Sequence, residues 1–192
     1  MKLSGSRYSK KGAALNTLVL GIGNVLLTDE GVGVRALNEL KRRYSFSDNV
    51  EFLDGGTSGI ELLRHIQDRD TLIIIDAMTH DRKPGSVYRI ENEDVPAVFR
   101  TRISPHQLGL SDLLAAAMLT ENLPENLVLF GMEPESVDIG LELTATVEAS
   151  LDKLITAVVE ELRTIGCTAV PLNTSFSDRA CFWDAPEETP YT

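Results

Sequence analysis

The segment Leu18–Arg35, reading Leu-Val-Leu-Gly-Ile-Gly-Asn-Val-Leu-Leu-Thr-Asp-Glu-Gly-Val-Gly-Val-Arg, restricts the fold more than any other part of the chain. It starts as a short apolar run, passes a glycine-rich turn, and continues with Val32, Ala36, Leu37 and Leu40 at helical spacing. A strand that turns through glycines into a helix is the opening of a parallel-sheet unit. The turn ends in two adjacent acids, Asp29 and Glu30. Such a turn sits at the carboxyl edge of a sheet, where α/β proteins meet their ligands.

The pattern then repeats. Val50 to Leu53 reads as a second strand, ended by Asp54-Gly-Gly-Thr57. Ile60, Leu63 and Ile66 mark a short helix, with Thr57 or Ser58 as its expected cap. Thr71 to Ile75 is a third strand, ended by Asp76. Strand, helix, strand, helix, strand predicts a parallel sheet with crossover helices. The strands are almost unbroken apolar runs, as expected when both faces are covered. After Lys83-Pro84-Gly85, residues Gly85 to Ile90 read as a further strand, expected to be antiparallel. Ser104-Pro105-His106 precedes a helix over Leu108 to Leu119, and Asn126 to Met132 is another buried strand. Leu143 to Ile165 reads as the longest helix, with Val147, Leu151, Leu154, Ile155, Val158 and Leu162 along one face and Gly166 as its stop. The expected fold is α/β: a three-layer α/β/α arrangement with a twisted, mainly parallel sheet and one antiparallel strand. Residues 1–15 read as a polar leader, 16–166 as a single α/β domain, and 167–192 as an irregular C-terminal tail.

A length of 192 residues suits one domain. The net charge of -11 argues against nucleic acid and against an anionic membrane surface, and leaves a basic partner open. Cys167 and Cys181 form neither a metal-ligand spacing nor a disulfide framework, so a reduced, cytoplasmic setting is the simplest expectation. The basic N-terminus is not followed by an apolar run, unlike a secretory signal. No apolar stretch approaches the ~20 residues of a membrane span.

All strand ends of a parallel sheet point to one edge. Asp54, Asp76, Glu30 and His106 can therefore converge there. Carboxylates with an imidazole suit a divalent first-row metal such as nickel, zinc or manganese. Three protein ligands would leave coordination positions open. Each residue also has a plainer reading. Glu30 suits the positive end of the following helix. Asp76 suits a turn acid bonding nearby N–H groups, and Asp54 a structural place beside its glycines. His106 suits a solvated loop. His80, four residues past Asp76, competes as a ligand, whereas His65 reads as a surface residue. There is no Gly-x-Ser-x-Gly elbow, His-Glu-x-x-His helix or Walker loop. Gly21-Ile-Gly23 begins like a dinucleotide-binding turn, with Asp54 where a ribose-binding acid would stand. The third glycine is replaced by Leu26, and Asp29 and Glu30 would oppose a pyrophosphate.

Gly21–Gly33, Asp54-Gly-Gly-Thr-Ser-Gly59, Ile73-Ile-Ile-Asp-Ala77 and Ser104-Pro-His-Gln-Leu-Gly-Leu-Ser111 together resemble the nickel–iron hydrogenase maturation endopeptidases. Gly131-Met-Glu-Pro-Glu135 and Gly140-Leu-Glu-Leu143 also look like that family's late motif. The resemblance covers residues 17 to 165. The tail, with Arg179-Ala-Cys-Phe-Trp-Asp184, looks similar to the branch serving uptake hydrogenases. It implies a protease that removes a C-terminal extension from the hydrogenase large-subunit precursor once nickel has entered. It also implies that Glu30, Asp76 and His106 bind the metal, with nickel presented by the substrate and no organic cofactor. Whether the metal or a carboxylate (Asp76, Glu30 or Asp54) activates water stays open. A monomer that meets its precursor transiently is the default expectation. A non-catalytic metal-sensing chaperone and a nucleotide-binding oxidoreductase are the alternatives.

Overall fold

The computed structural model describes residues 15–99 and 105–172, with backbone alone at 105 and 106. In chain order the elements are β1 (Thr17–Ile22), α1 (Val32–Arg43), β2 (Tyr44–Phe46), β3 (Val50–Gly56), α2 (Leu63–Ile66), β4 (Thr71–Ala77), β5 (Val87–Glu91), α3 (Asp94–Val98), α4 (Pro105–Leu119), β6 (Asn126–Met132), α5 (Ala145–Glu148), α6 (Leu151–Thr164) and β7 (Ala169–Pro171). Short 3-10 turns, Thr28–Gly31 and Ile60–Leu62, precede α1 and α2.

Five strands form one sheet in the order β3-β1-β4-β6-β5. The first four run parallel, and β5 runs antiparallel to β6 at the edge. Every residue of β1 and β4 is buried. Because side chains alternate along a strand, these runs supply two cores at once. Val19, Ile73, Ile75, Val128 and Phe130 pack on the side of α1, α5 and α6. Leu18, Leu20, Leu72, Ile74, Leu127 and Leu129 pack on the side of α2, α3 and α4. This is the expected three-layer α/β/α arrangement. No helix among the described residues is long and apolar enough to cross a membrane.

Several boundaries differ from the expectation. The long C-terminal helix is two: α5 ends at Glu148 and α6 begins at Leu151. The chain tightens at Ser150, whose N–H bonds the carbonyl of Val147, three residues back, where Gly85 presses against its side chain. Val147 and Leu151 both stay buried, so the apolar period runs through the break and hides it. β3 continues through Asp54 to Gly56 instead of ending at Leu53. No side chain caps the turn after it, where Thr57 or Ser58 was expected; Gly59 occupies the capping position.

α6 does stop at Gly166. The N–H of Cys167 reaches the carbonyl of Leu162 (2.8 Å) and that of Gly166 reaches Arg163 (3.0 Å), the paired bonds of a glycine-terminated helix. Residues 167–172 are ordered, however, and do not belong to an irregular tail. Cys167 is buried, and β7 pairs antiparallel with β2 in a small second sheet. The leader before residue 15 and the tail after 172 lie outside the described residues.

Candidate active site

The register sets the edge. Gly21 of β1 stands between Asp54 of β3 and Ile75 of β4, and Asp76 faces Gly131 of β6. The first turn of α1 is seated directly on the ends of β1 and β4. A Cβ added at Gly33 would lie 2.2 Å from the carbonyl oxygen of Ile75 and 2.3 Å from that of Ile22. Only a residue without a side chain allows so close an approach. The 3-10 turn Thr28–Gly31 consequently packs on β4. Glu30 in that turn is 7% exposed and Asp76 in β4 is 0% exposed. Two of the three expected metal ligands are therefore buried carboxylates on adjoining elements of one edge.

The third is His106, whose side chain lies outside the described residues. Its helix begins at Pro105, so His106 is the second residue of α4. The next residue, Gln107, is buried, and its amide donates to Asp76 Oδ2 (3.3 Å) and to the carbonyl of Ala77 (3.0 Å). The start of α4 is thus fastened to the end of β4. Among the described residues, no group of three or more His, Cys, Asp or Glu side chains is gathered to hold a metal.

Asp54 is the third carboxylate expected at this edge. It reaches the same edge but is exposed, and its Oδ1 accepts the N–H of Gly56 at 2.9 Å, a local turn. The turn beyond it meets α4 main chain to main chain: a Cβ added at Gly59 would lie 3.0 Å from the Cα of Gly109. His80 is exposed, and its ring lies 5.3 Å from that of Tyr88.

Two acids have roles that sequence reasoning missed. Asp29 is fully buried. Its carboxylate accepts N–H groups of Glu135 (2.9 Å), Ser136 (3.0 Å) and Thr144 (2.7 Å), and the Thr144 hydroxyl (2.9 Å). Thr144 in turn caps α5 through the N–H of Val147. Asp29 thus organises the late loop and is committed to it by all four of these bonds. Glu133, also buried, accepts the N–H of His80 at 2.7 Å and steadies the loop after β4. Its motif was visible in sequence, but nothing there gave it a partner. Tyr88, whose hydroxyl donates to the carbonyl of Met78, lies within reach of both Glu133 and Asp76. Burial first, and those two negative charges next, hold its phenol well above the ordinary tyrosine range.

A family model described as HycI, hydrogenase maturation protease, matches residues 34–161. The chain belongs to the hydrogenase maturation protease family. Among its relatives in this family is the hydrogenase 2 maturation protease of Escherichia coli K12, 47% identical over 158 residues, covering 82% of this chain and 96% of that protein. The hydrogenase expression/formation protein HupM of Azotobacter chroococcum is 40% identical, covering 83% of this chain and 78% of that protein. The solved structure of the hydrogenase maturating endopeptidase HybD from E. coli superposes with a TM-score of 0.79 at 47% identity, over 82% of this chain and 98% of that one. A [NiFe] hydrogenase maturation protease HybD from Thermococcus kodakarensis gives 0.65 at 28% identity, over 77% and 99%. Of the carboxylates at the edge of this maturation protease, Asp54 and Asp76 lie within the residues matched by the family model, and Glu30 stands four residues before the first of them.

Proposed function

We propose that this protein is the endopeptidase that removes the C-terminal extension of a nickel–iron hydrogenase large-subunit precursor after nickel insertion. Family membership supports the protease activity. The observation that carries the rest is the pair of buried carboxylates, Glu30 and Asp76, on neighbouring elements of one sheet edge. Carboxylate oxygens of this kind would serve as ligands to a divalent ion. His106, next to the residue that bonds Asp76, supplies an imidazole from the start of α4. In this reading nickel is cargo. The precursor brings it already held by its own ligands, and the protease offers three more. Cleavage then reports that loading is complete.

Water attack on the scissile carbonyl follows one of two routes. In one, a carboxylate takes the proton, with Asp54 or Asp76 as the base. Asp54 is suited by its exposure, since Oδ1 holds the turn and the second oxygen is left for water. In the other, the precursor's ion polarises the carbonyl. The protease works in the cytoplasm as a monomer and uses no organic cofactor.

The test is the intact mass of the precursor after incubation, with and without nickel. Loss of a C-terminal peptide from the nickel-loaded form alone, abolished by Glu30→Gln, Asp76→Asn and His106→Ala, is the expected result. Asp54→Asn keeps an oxygen for Gly56, so a fall in rate of about 100-fold there identifies Asp54 as the base. Binding without mass loss would make the chain a metal-sensing chaperone instead.

A further inference from the structure

The loop between β6 and α5, residues 133–144, is fastened from inside and bare outside. Asp29 holds it through Glu135, Ser136 and Thr144. The Thr28 hydroxyl donates to the carbonyl of Ser136 at 2.8 Å. Gly140 pairs with the first loop: its N–H reaches the carbonyl of Leu26 (3.0 Å), and its carbonyl accepts the N–H of Thr28 (2.9 Å). These bonds bring Leu26 beside residues 139–141 in one ridge. Its outward residues, Leu26, Val137, Ile139 and Leu141, are between 42% and 91% exposed. A backbone so tied cannot fold these side chains away from water, and large apolar groups held in water mark a surface that a partner covers.

Acids stand among them. Glu135, Asp138 and Glu142 are exposed; Arg35 donates to the carbonyl of Leu141 and lies 4.0 Å from Glu142 alone of the three. The loop leaves β6 directly after Met132, the partner of Ala77, and returns over the turn that carries Glu30. The ridge therefore borders the edge where both buried carboxylates lie.

We infer that this ridge is the docking surface for the precursor, and that it seats a precursor segment in which basic and apolar side chains alternate. The inference rests on the function proposed above. Charge selects the occupant: a chain of net charge -11 repels its own copy and acidic partners at an acidic ridge, and attracts lysine and arginine. The apolar residues supply the hold, while the carboxylates steer the encounter and fix the register.

Steady-state processing of nickel-loaded precursor tests this, with direct precursor binding measured alongside. Ile139 is 91% exposed, so Ile139→Asp folds normally; Val137→Asp is the second variant. Each is expected to raise KM about 10-fold with kcat little changed, as loss of an interface anchor does. For the wild type, KM should rise with salt, and less steeply after Glu135→Gln with Glu142→Gln. A KM within about twofold of wild type in both apolar variants, the range of a neutral surface change, overturns the ridge as the docking site. A wild-type KM indifferent to salt overturns the basic segment. If the wild type binds precursor through the ridge and never cuts it, the endopeptidase reading fails while the docking site stands.

Discussion

Replacing Asp29 with alanine takes the acceptor from four donors at once, three of them backbone N–H groups. A buried donor left unsatisfied costs about 1–3 kcal/mol, and a loop that relaxes toward water recovers part of it. The expected loss for Asp29→Ala is therefore about 3 kcal/mol in a denaturant titration, with slower processing because the loop beside Glu30 is freed. Equal activity and stability would show that the loop holds itself. By residue type and position Asp29 and Glu30 look alike in sequence, and only the family resemblance singles out Glu30. What separates them is 106 to 115 residues away, in donors that only the fold brings back. Asp54 illustrates the reverse. Its place near the carboxyl edge was legible, but its exposure was not, because exposure depends on which strand takes the edge of the sheet.

Among the elements, α1 is the one on which the site depends most. Gly33 sets how close its first turn comes to β1 and β4, and Glu30 lies three residues before it. In Gly33→Ala the new methyl meets two carbonyl oxygens that cannot move without breaking the sheet. The helix start must lift, at about 2–3 kcal/mol by analogy with an overpacked core. Thermal unfolding should show that loss, and processing should fall more than stability alone explains. The parallel strands β1, β4 and β6 were readable because two-sided burial writes itself as a continuous apolar run. β2 and β7 were not: three-residue strands such as Tyr44-Ser-Phe46 carry no period, and their pairing joins segments far apart in sequence. The break between α5 and α6 was invisible for the opposite reason, since the apolar spacing passes straight across it.

At the scale of the whole molecule, two half-buried groups contribute to the pH dependence of stability. Glu39 on α1 accepts from Arg42 and Arg43, and Arg43 also pairs with Asp152 on α6. Burial works against ionisation of Glu39, but the arginine bonds prevail and hold its carboxyl below the usual 4.5. A lowered carboxyl adds stability above its unfolded pKa and loses it as pH falls through the folded value. Tyr88 is the mirror case: its phenol is raised above the ordinary 10.0, so its contribution is intact below 10.0 and declines as pH climbs past it. A melting profile against pH should fall at both ends. Glu39→Gln should flatten the acid limb and Tyr88→Phe the alkaline one. Unchanged limbs would assign the pH dependence to overall charge. Gly59 and Gly109 meet main chain to main chain. No compressible side chain separates the turn after Asp54 from the helix that carries His106, so displacement of one is handed to the other undiminished. The two flanks of the edge are thereby held at one spacing, like a fixed caliper, and in the reaction proposed above a metal centre presented too deep or too shallow would be left uncut.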